Sequence, residues 1–472
     1  MVEQVTNDES VSGKSILAIA AMGLAVVIIA NDFTAFSVAL PAMEKEFHAD
    51  VSDVQWVINA YALVFGVSIV TGGRLADMFG RRRVFFIGTA IFSGFSLAAG
   101  IAPNLATLIV ARGLMGIGGA MMWPAILGMM YELLPASKAG LAGGVILAAA
   151  GFGNAIGPLI GGFLTDTLSW RWIFFVNLPI AGLGALATWR FVDSDVGDSS
   201  RQKVDYRGIV TLSLGLVAVL LALDTSSDWG WTSGRVIGLI ILAVASLGAF
   251  GIVEHRSGAD ALMPPDVVRN RDFVAPCASV LLISAVFFAV LLYVPQFMVV
   301  ALQYSPLRAG AGLLPMMVIF AIVSFAAGPL YERVGAKVMV TAGAACITAG
   351  IFQLSFISSA DRYVSLLPGL MVLGVGIGLF YSSVTTAGVT ALDASQASLA
   401  GGIVYMCQVA GGAIGLGINT AIVSSAQTSV SEFVGGIGNA FTLDAILASL
   451  ATIVAMAFVR SHQSQQVMAP GG

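Results

Sequence analysis

Long apolar segments, separated by short polar or charged stretches, dominate this chain from about residue 15 to about residue 460. A bilayer core about 30 Å thick is crossed by roughly 20 helical residues at 1.5 Å each, and about fourteen segments of that length can be laid along the sequence. Their spans fall near 15–38, 53–73, 83–101, 105–130, 139–164, 172–191, 208–224, 235–253, 273–302, 308–331, 335–358, 364–388, 398–425 and 438–460. The segments before the first run carry Glu3, Asp8 and Glu9 rather than a basic leader, so the first run reads as an uncleaved helix. No interval between segments has room for a separate soluble domain.

Composition sharpens the picture. Of 472 residues, 58% are hydrophobic and only 10% are charged, against roughly a quarter charged in soluble domains. The 55 glycines suit membrane helices that approach one another closely, and the 18 methionines supply adaptable apolar surface. The expected fold class is therefore all-α integral membrane. A net charge of −4 without a basic tract argues against nucleic acid as a partner. Cys277, Cys346 and Cys407 lie far apart within apolar runs and read as small buried hydrophobes.

Lys and Arg fix the expected orientation, because they are retained on the cytoplasmic side. With the amino terminus inside, 16 cations fall in inner connections, among them Lys14, Arg74, Lys138, Arg190, Arg201, Lys203, Arg256, Lys337 and Arg460. Only 5 fall outside (Lys45, Arg171, Arg235, Arg308 and Arg362), and Arg112 is left within a helix. Both termini are then expected to be cytoplasmic, in a cytoplasmic (inner) membrane.

Between the second and third segments lies Gly73-Arg74-Leu75-Ala76-Asp77-Met78-Phe79-Gly80-Arg81-Arg82-Arg83, which reads as a tight loop. It is echoed by Gly328-Pro329-Leu330-Tyr331-Glu332-Arg333-Val334-Gly335, with glycines and acids in register. Asp77 can meet a helix N-terminus or an arginine where helix ends close together, forming a charge lock; alternatively, Arg81, Arg82 and Arg83 only satisfy the charge rule. The echo favours two lobes: residues 1–191 as an amino-terminal six-helix lobe, 192–272 as an inserted helix pair with linkers, and 273–472 as a carboxy-terminal six-helix lobe with a short tail.

The Gly73–Arg83 motif resembles the cytoplasmic signature of the major facilitator superfamily. Gly153-Asn154-Ala155-Ile156-Gly157-Pro158-Leu159-Ile160-Gly161-Gly162 resembles the antiporter signature of its drug-exporting branches, where a proline-disturbed, glycine-lined helix is thought to shape the interdomain interface; generic glycine packing is the other reading. Asn31 to Pro41, Gln55 to Tyr61, Asp205-Tyr206-Arg207-Gly208, Trp229, Trp231, Glu254 and Pro264-Pro265 are similar to patterns of the fourteen-helix drug/proton antiporter branch. The resemblance implies the major-facilitator fold with two inserted helices, and export of amphipathic, often cationic, drugs against protons. Multidrug efflux and antibiotic resistance would follow. A dedicated exporter of one metabolite, siderophore or self-made antibiotic is the alternative, and a non-transporting membrane sensor a more distant one.

Asp32 lies well inside the first helix, where an ionisable group is costly enough to imply a function, although an acid near the outer headgroups would be unremarkable. The resemblance assigns the matching aspartate to proton or cationic-substrate handling. Arg112, in Ala111-Arg112-Gly113-Leu114-Met115-Gly116, resembles the fourth-helix signature tied to proton coupling, with Met115 where the family often has glutamine. Both lie roughly 12–14 Å from their outer helix ends, so a pair is expected. Asn59, Tyr61, Met122, Trp123, Tyr293, Gln296, Tyr381, Tyr405, Gln408 and Asn419 are candidates for a substrate pocket, ordinary core packing being the competing reading.

Other chemistries find no support. Gly13-Lys14-Ser15 lacks the leading glycine and strand of a phosphate-binding loop, so ATP is not expected. Gly151 to Gly157 lies inside a membrane span, unlike a dinucleotide loop. His48, His255 and His462 fall in presumed loops or tails, which leaves no histidine metal site in the membrane. No cofactor and no enzyme active site is expected; the partners are small amphipathic substrates, protons and the lipid bilayer.

Overall fold

The computed structural model describes residues 13–49, 51–192, 205–257, 261–424 and 429–460. Arg201, Lys203 and His462, the acids Glu3, Asp8 and Glu9, and the side chain of Lys14 lie outside that description. Six long helices come first: α1 Gly13–Thr34, α2 Val51–Phe79, α3 Arg81–Gly100, α4 Leu105–Leu133, α5 Ala139–Thr167 and α6 Trp172–Phe191. A pair follows, α7 Tyr206–Trp229 and α8 Gly234–Ser257, and then α9 Arg271–Val300, α10 Leu314–Val334, α11 Ala336–Leu354, α12 Tyr363–Thr390, α13 Ala397–Ser424 and α14 Val430–Phe458. No strand occurs among the described residues. Thirteen of the fourteen are long and apolar enough to cross a membrane; α7 counts only from Tyr206 to Ala222, after which its sequence turns polar.

Polar side chains mark where these helices start. Asn104, Asp205, Asn270 and Ser429 each accept a hydrogen bond from an amide in the first turn of α4, α7, α9 and α14 respectively, satisfying a donor that the helix itself cannot. The Gly73–Arg83 segment is not a loop. Helix α2 runs through it to Phe79, a single residue turns the chain, and α3 begins at Arg81. That residue is Gly80, at φ 95°, and its counterpart between α10 and α11 is Gly335, at φ 83°. Both conformations disfavour any side chain, which is why one glycine suffices for the turn.

The packing pattern repeats. In the first six helices α1 lies against α5 and α6, α4 against α2 and α3, and α3 against α6; in the last six, α9 lies against α13 and α14, α12 against α10 and α11, and α11 against α14. The lobes meet reciprocally, α2 on α13 and α5 on α10. The inserted helices pack on each other, with α7 also touching α2 and α13. Helix α8 is peripheral: only 17% of its apolar window is buried, and Ile237, Ile241 and Val244 point outward as lipid-facing side chains would.

Candidate functional site

Helices α1, α3, α4 and α6 bring polar groups together inside the first lobe. Arg112 is ion-paired through Nη1 with Asp32 Oδ2, and both side chains are 0% exposed. Arg112 Nε also donates to the Val57 carbonyl of α2 at 2.7 Å. The other carboxylate oxygen accepts from Asn177 Nδ2 at 3.1 Å, and Ser96 Oγ sits 3.2 Å from the same amide while donating to the Phe174 carbonyl. The guanidinium lies against the rings of Tyr61 and Phe36, 4.4 and 4.5 Å from their centroids. Charge, hydrogen-bond and cation–π terms thus all hold the pair in a medium that screens poorly. Leaving either charge without its partner costs roughly 3–5 kcal/mol.

An aromatic row leads from this cluster to the other lobe. Phe33 meets Tyr61 and Phe65 at 4.9 and 5.3 Å between centroids, Phe65 meets Tyr405 of α13 at 5.4 Å, and Tyr405 meets Trp123 of α4 at 4.9 Å. Of the expected pocket residues, Tyr61, Trp123 and Tyr405 are therefore contiguous. Asn59, Gln296 and Gln408 are half-buried. Tyr381 is buried in the second lobe, its hydroxyl 2.9 Å from Ser284 Oγ. Met122 belongs elsewhere: it is buried inside the first lobe against Gly88 of α3, as core packing. Tyr293 is also removed from the row, its hydroxyl paired with Thr420 at 2.8 Å.

At the face carrying the Gly80 and Gly335 turns, the lobes are tied by helix ends. Asp77 Oδ2 accepts from Leu399 N at 2.8 Å, and Oδ1 from Ser398 N at 3.3 Å, both amides in the first turn of α13. Arg81 braces this carboxylate through Nε at 3.1 Å, reaches Glu132 and Gly128 O of α4, and donates through Nη2 to Ala394 O ahead of α13. Arg82 donates to Trp189 O of its own lobe at 2.9 Å. Close approach requires Gly73, where a Cβ would stand 2.6 Å from Ser398 O. The echo makes the reciprocal contact, Glu332 accepting from Leu141 N at 3.3 Å in the first turn of α5. Tyr131 adds a bond across the lobes to Thr386 at 3.0 Å.

The glycines of the α5 motif face a different neighbour from the one the resemblance implies. A Cβ on Gly153 would stand 2.6 Å from Val27 O, and those on Gly157 and Gly161 would overlap Thr34 and Ala35, so this face packs on α1 in the same lobe. Thr34 Oγ1 donates to Asn154 O, fixing the register. Pro158 lies within the helix and Gly162 is buried. The interdomain seam is instead made by the other half of α5, where Gly144 approaches Ser324 of α10 and Gly151 the ring of Phe320. Seven residues separate Gly144 from Gly151, about two turns, so both contacts lie on one face of α5.

Several participants were not picked out from sequence. Asn177 and Ser96 complete the Asp32 cluster, and the signal available was a lone amide in the apolar segment 172–191. Asp444 is 0% exposed in α14, both its oxygens within 3.1 Å of Asn419 Nδ2. A span starting at residue 438 sets Asp444 near the headgroups; the helix begins at Val430, which puts it at the centre. Cys277 and Cys407, distant in sequence, have neighbouring thiols.

Residues 22–416 match the Major Facilitator Superfamily. The multidrug resistance protein Stp of Mycobacterium tuberculosis is 31% identical over 418 residues, covering 88% of this chain and 77% of that protein. The puromycin resistance protein pur8 of Streptomyces alboniger is 33% identical over 446 residues, covering 92% and 88%. The crystal structure of the human organic anion transporter MFSD10 (TETRAN) superposes with a TM-score of 0.68 over 93% of this chain and 99% of that one, at 13% identity, a likeness of fold.

Proposed function

Because this multi-pass membrane chain belongs to the Major Facilitator Superfamily, we propose that it is a proton-coupled antiporter, exporting amphipathic, often cationic, compounds across the cytoplasmic membrane by alternating access. The observation that carries the reading is the Asp32–Arg112 pair, an ion pair sealed inside a membrane lobe and linked by an aromatic row to the lobe boundary. Members of this superfamily are transporters, not enzymes. The names of the relatives, multidrug and puromycin resistance, support efflux as the direction.

In this scheme the Gly80 face is cytoplasmic, as are both termini, and the structure is closed there. The lobes rock about the boundary where α2 meets α13 and α5 meets α10. Deprotonated Asp32 is held by Arg112 or by an incoming cationic substrate. A proton arriving from outside neutralises the acid, removes the attraction and favours substrate release. Coupling is competition for one carboxylate, and the energy comes from the proton gradient without a cofactor or ATP. Trp123, Tyr405, Tyr61 and Phe65 supply the sequence-tolerant aromatic surface that an amphipathic cation needs.

The test is efflux of a panel of lipophilic cationic dyes from proteoliposomes with and without an imposed pH gradient. Gradient-stimulated efflux of several dyes is expected, and efflux indifferent to the gradient would defeat the antiport reading. A second reading, export of one dedicated antibiotic, is favoured by the single-drug name of the puromycin resistance relative; transport of one compound alone from the panel would select it.

A further inference from the structure

Asp444 sits at the middle of the second lobe, with no cation beside it among the described residues. It is the fifteenth of the 29 residues of α14, about 21 Å from either helix end. Helices α9, α11 and α13 pack around α14. Helix α13 contains no charged residue, though it brings Tyr405 and Cys407; α11 has Lys337 at its start and Cys346 further in; α9 has Arg271 and Asp272 at its start, then Cys277 and Tyr293. Glu432 of α14 itself lies at the opposite helix end. Tyr293 alone among these comes near, close enough to feel the Asp444 charge, and its hydroxyl is paired with Thr420.

The only side chain bonded to the carboxylate among the described residues is Asn419, whose Nδ2 lies 3.1 and 3.0 Å from the two oxygens. Asn419 is itself 0% exposed, and its Oδ1 is buried without a hydrogen-bond partner among the described residues. Two deficits therefore coincide at one place: an uncompensated buried carboxylate and an orphaned amide oxygen, each expensive in a membrane interior. One proton removes both. A carboxylic acid O–H donates to Asn419 Oδ1 while Asn419 Nδ2 donates to the acid's carbonyl oxygen, a two-point pair in which every polar atom is satisfied. A metal cation would not serve, because it needs several oxygen ligands and the carboxylate is met here by an amide nitrogen.

We propose that Asp444 and Asn419 form a second proton-binding site, in the carboxy-terminal lobe, that is loaded and emptied during the transport cycle. Its placement mirrors the first site. Asp444 lies fourteen residues before the end of α14, and Asn177, which holds Asp32, lies fourteen before the end of the equivalent helix α6. The first lobe keeps an acid on α1 held by an amide on α6; the second keeps the acid on α14 held by an amide on α13. Loading requires no co-reactant, since the proton comes from water on one side and returns to water on the other. This inference rests on the proton-driven reading above, but its chemistry can be observed without transport.

The experiment is pH-difference infrared spectroscopy of the full chain in lipid nanodiscs. A protonated-carboxyl C=O band is expected in Asp32→Asn, and is expected to vanish when Asp444→Asn is added to that background. Asn419→Leu, which removes the partner, should displace the pH at which that band titrates. Asp444→Glu should restore a shifted band, which separates loss of the acid from loss of the fold. In proteoliposomes Asp444→Asn should carry about one proton fewer per substrate. Superimposable wild-type and Asp444→Asn spectra across the pH range would overturn the site. A band that titrates with Asp444 in a protein whose efflux ignores the pH gradient would keep the site and defeat the antiport reading instead.

Discussion

Replacing Asp77 by asparagine should open the face that the structure shows closed. The Asp77 carboxylate is 6% exposed and accepts from three donors, two of them first-turn amides of α13 in the other lobe. A hydrogen bond to a charged acceptor contributes roughly 1.5–3 kcal/mol, and a negative charge at a helix N-terminus about 0.3–1 kcal/mol more. Asparagine keeps one acceptor oxygen and turns an NH2 toward the remaining donors, so one cross-lobe bond and the charge term are lost. The net cost falls on the closed state at about 2–4 kcal/mol, which is roughly a 30- to 700-fold shift toward opening. Spin labels at Arg83→Cys and Val338→Cys, exposed positions on the two lobes, would read it as a distance distribution in nanodiscs after the native cysteines are replaced. A new, longer distance is expected in Asp77→Asn. A distribution unchanged from the parent, in protein that melts normally, would refute the idea that this carboxylate holds the lobes together.

Further outcomes follow from the same geometry. Asp32→Asn should abolish gradient-driven dye efflux while the protein still reaches the membrane and elutes as a single species; full efflux by that variant would remove Asp32 from the coupling scheme. Asn177→Ala withdraws the amide from Asp32 Oδ1 and should displace the pH profile of export rather than only its amount, a change that a purely structural role would not produce. Gly161→Ala places a methyl group against the backbone of Ala35, and overpacking of this kind costs roughly 1–3 kcal/mol, seen as a lower melting temperature in detergent; an unaltered melt would mean that α1 and α5 can separate freely. Tyr405→Ala removes the ring that joins Phe65 to Trp123, so the affinity for large aromatic dyes should drop more than that for small cations, and equal losses would argue against the aromatic row as a substrate surface.

Much of this protein was legible from residue order because the bilayer imposes one dominant rule. Segments of about 20 apolar residues must be helical to satisfy their backbone, so their number, their α-helical nature and the repeat between Gly73 and Gly335 could be read directly. Errors gathered at the ends of segments. Helix α2 continues six residues past the expected 73, because Asp77 finds partners inside the protein and need not leave the helix to be solvated. The same kind of error hid Asp444, whose depth depends on eight helical residues before position 438.

Sequence by itself determined what each segment is, since hydropathy, charge and glycine placement act locally. Only the tertiary structure decided which segments meet. Nothing in the order of residues says that Asn177 closes on Asp32, that the motif glycines of α5 lie on α1 while Gly144 and Gly151 form the seam, or that Asp77 caps α13 as Glu332 caps α5. These contacts join residues from more than one hundred to more than three hundred positions apart, and they are set by the close packing of helices and the need to satisfy every buried polar group. That is why Asp32, its partner Arg112 and Asp77 could be named from the sequence, while Asn177, the first-turn amides of α13 and the second acid at Asp444 came from the fold.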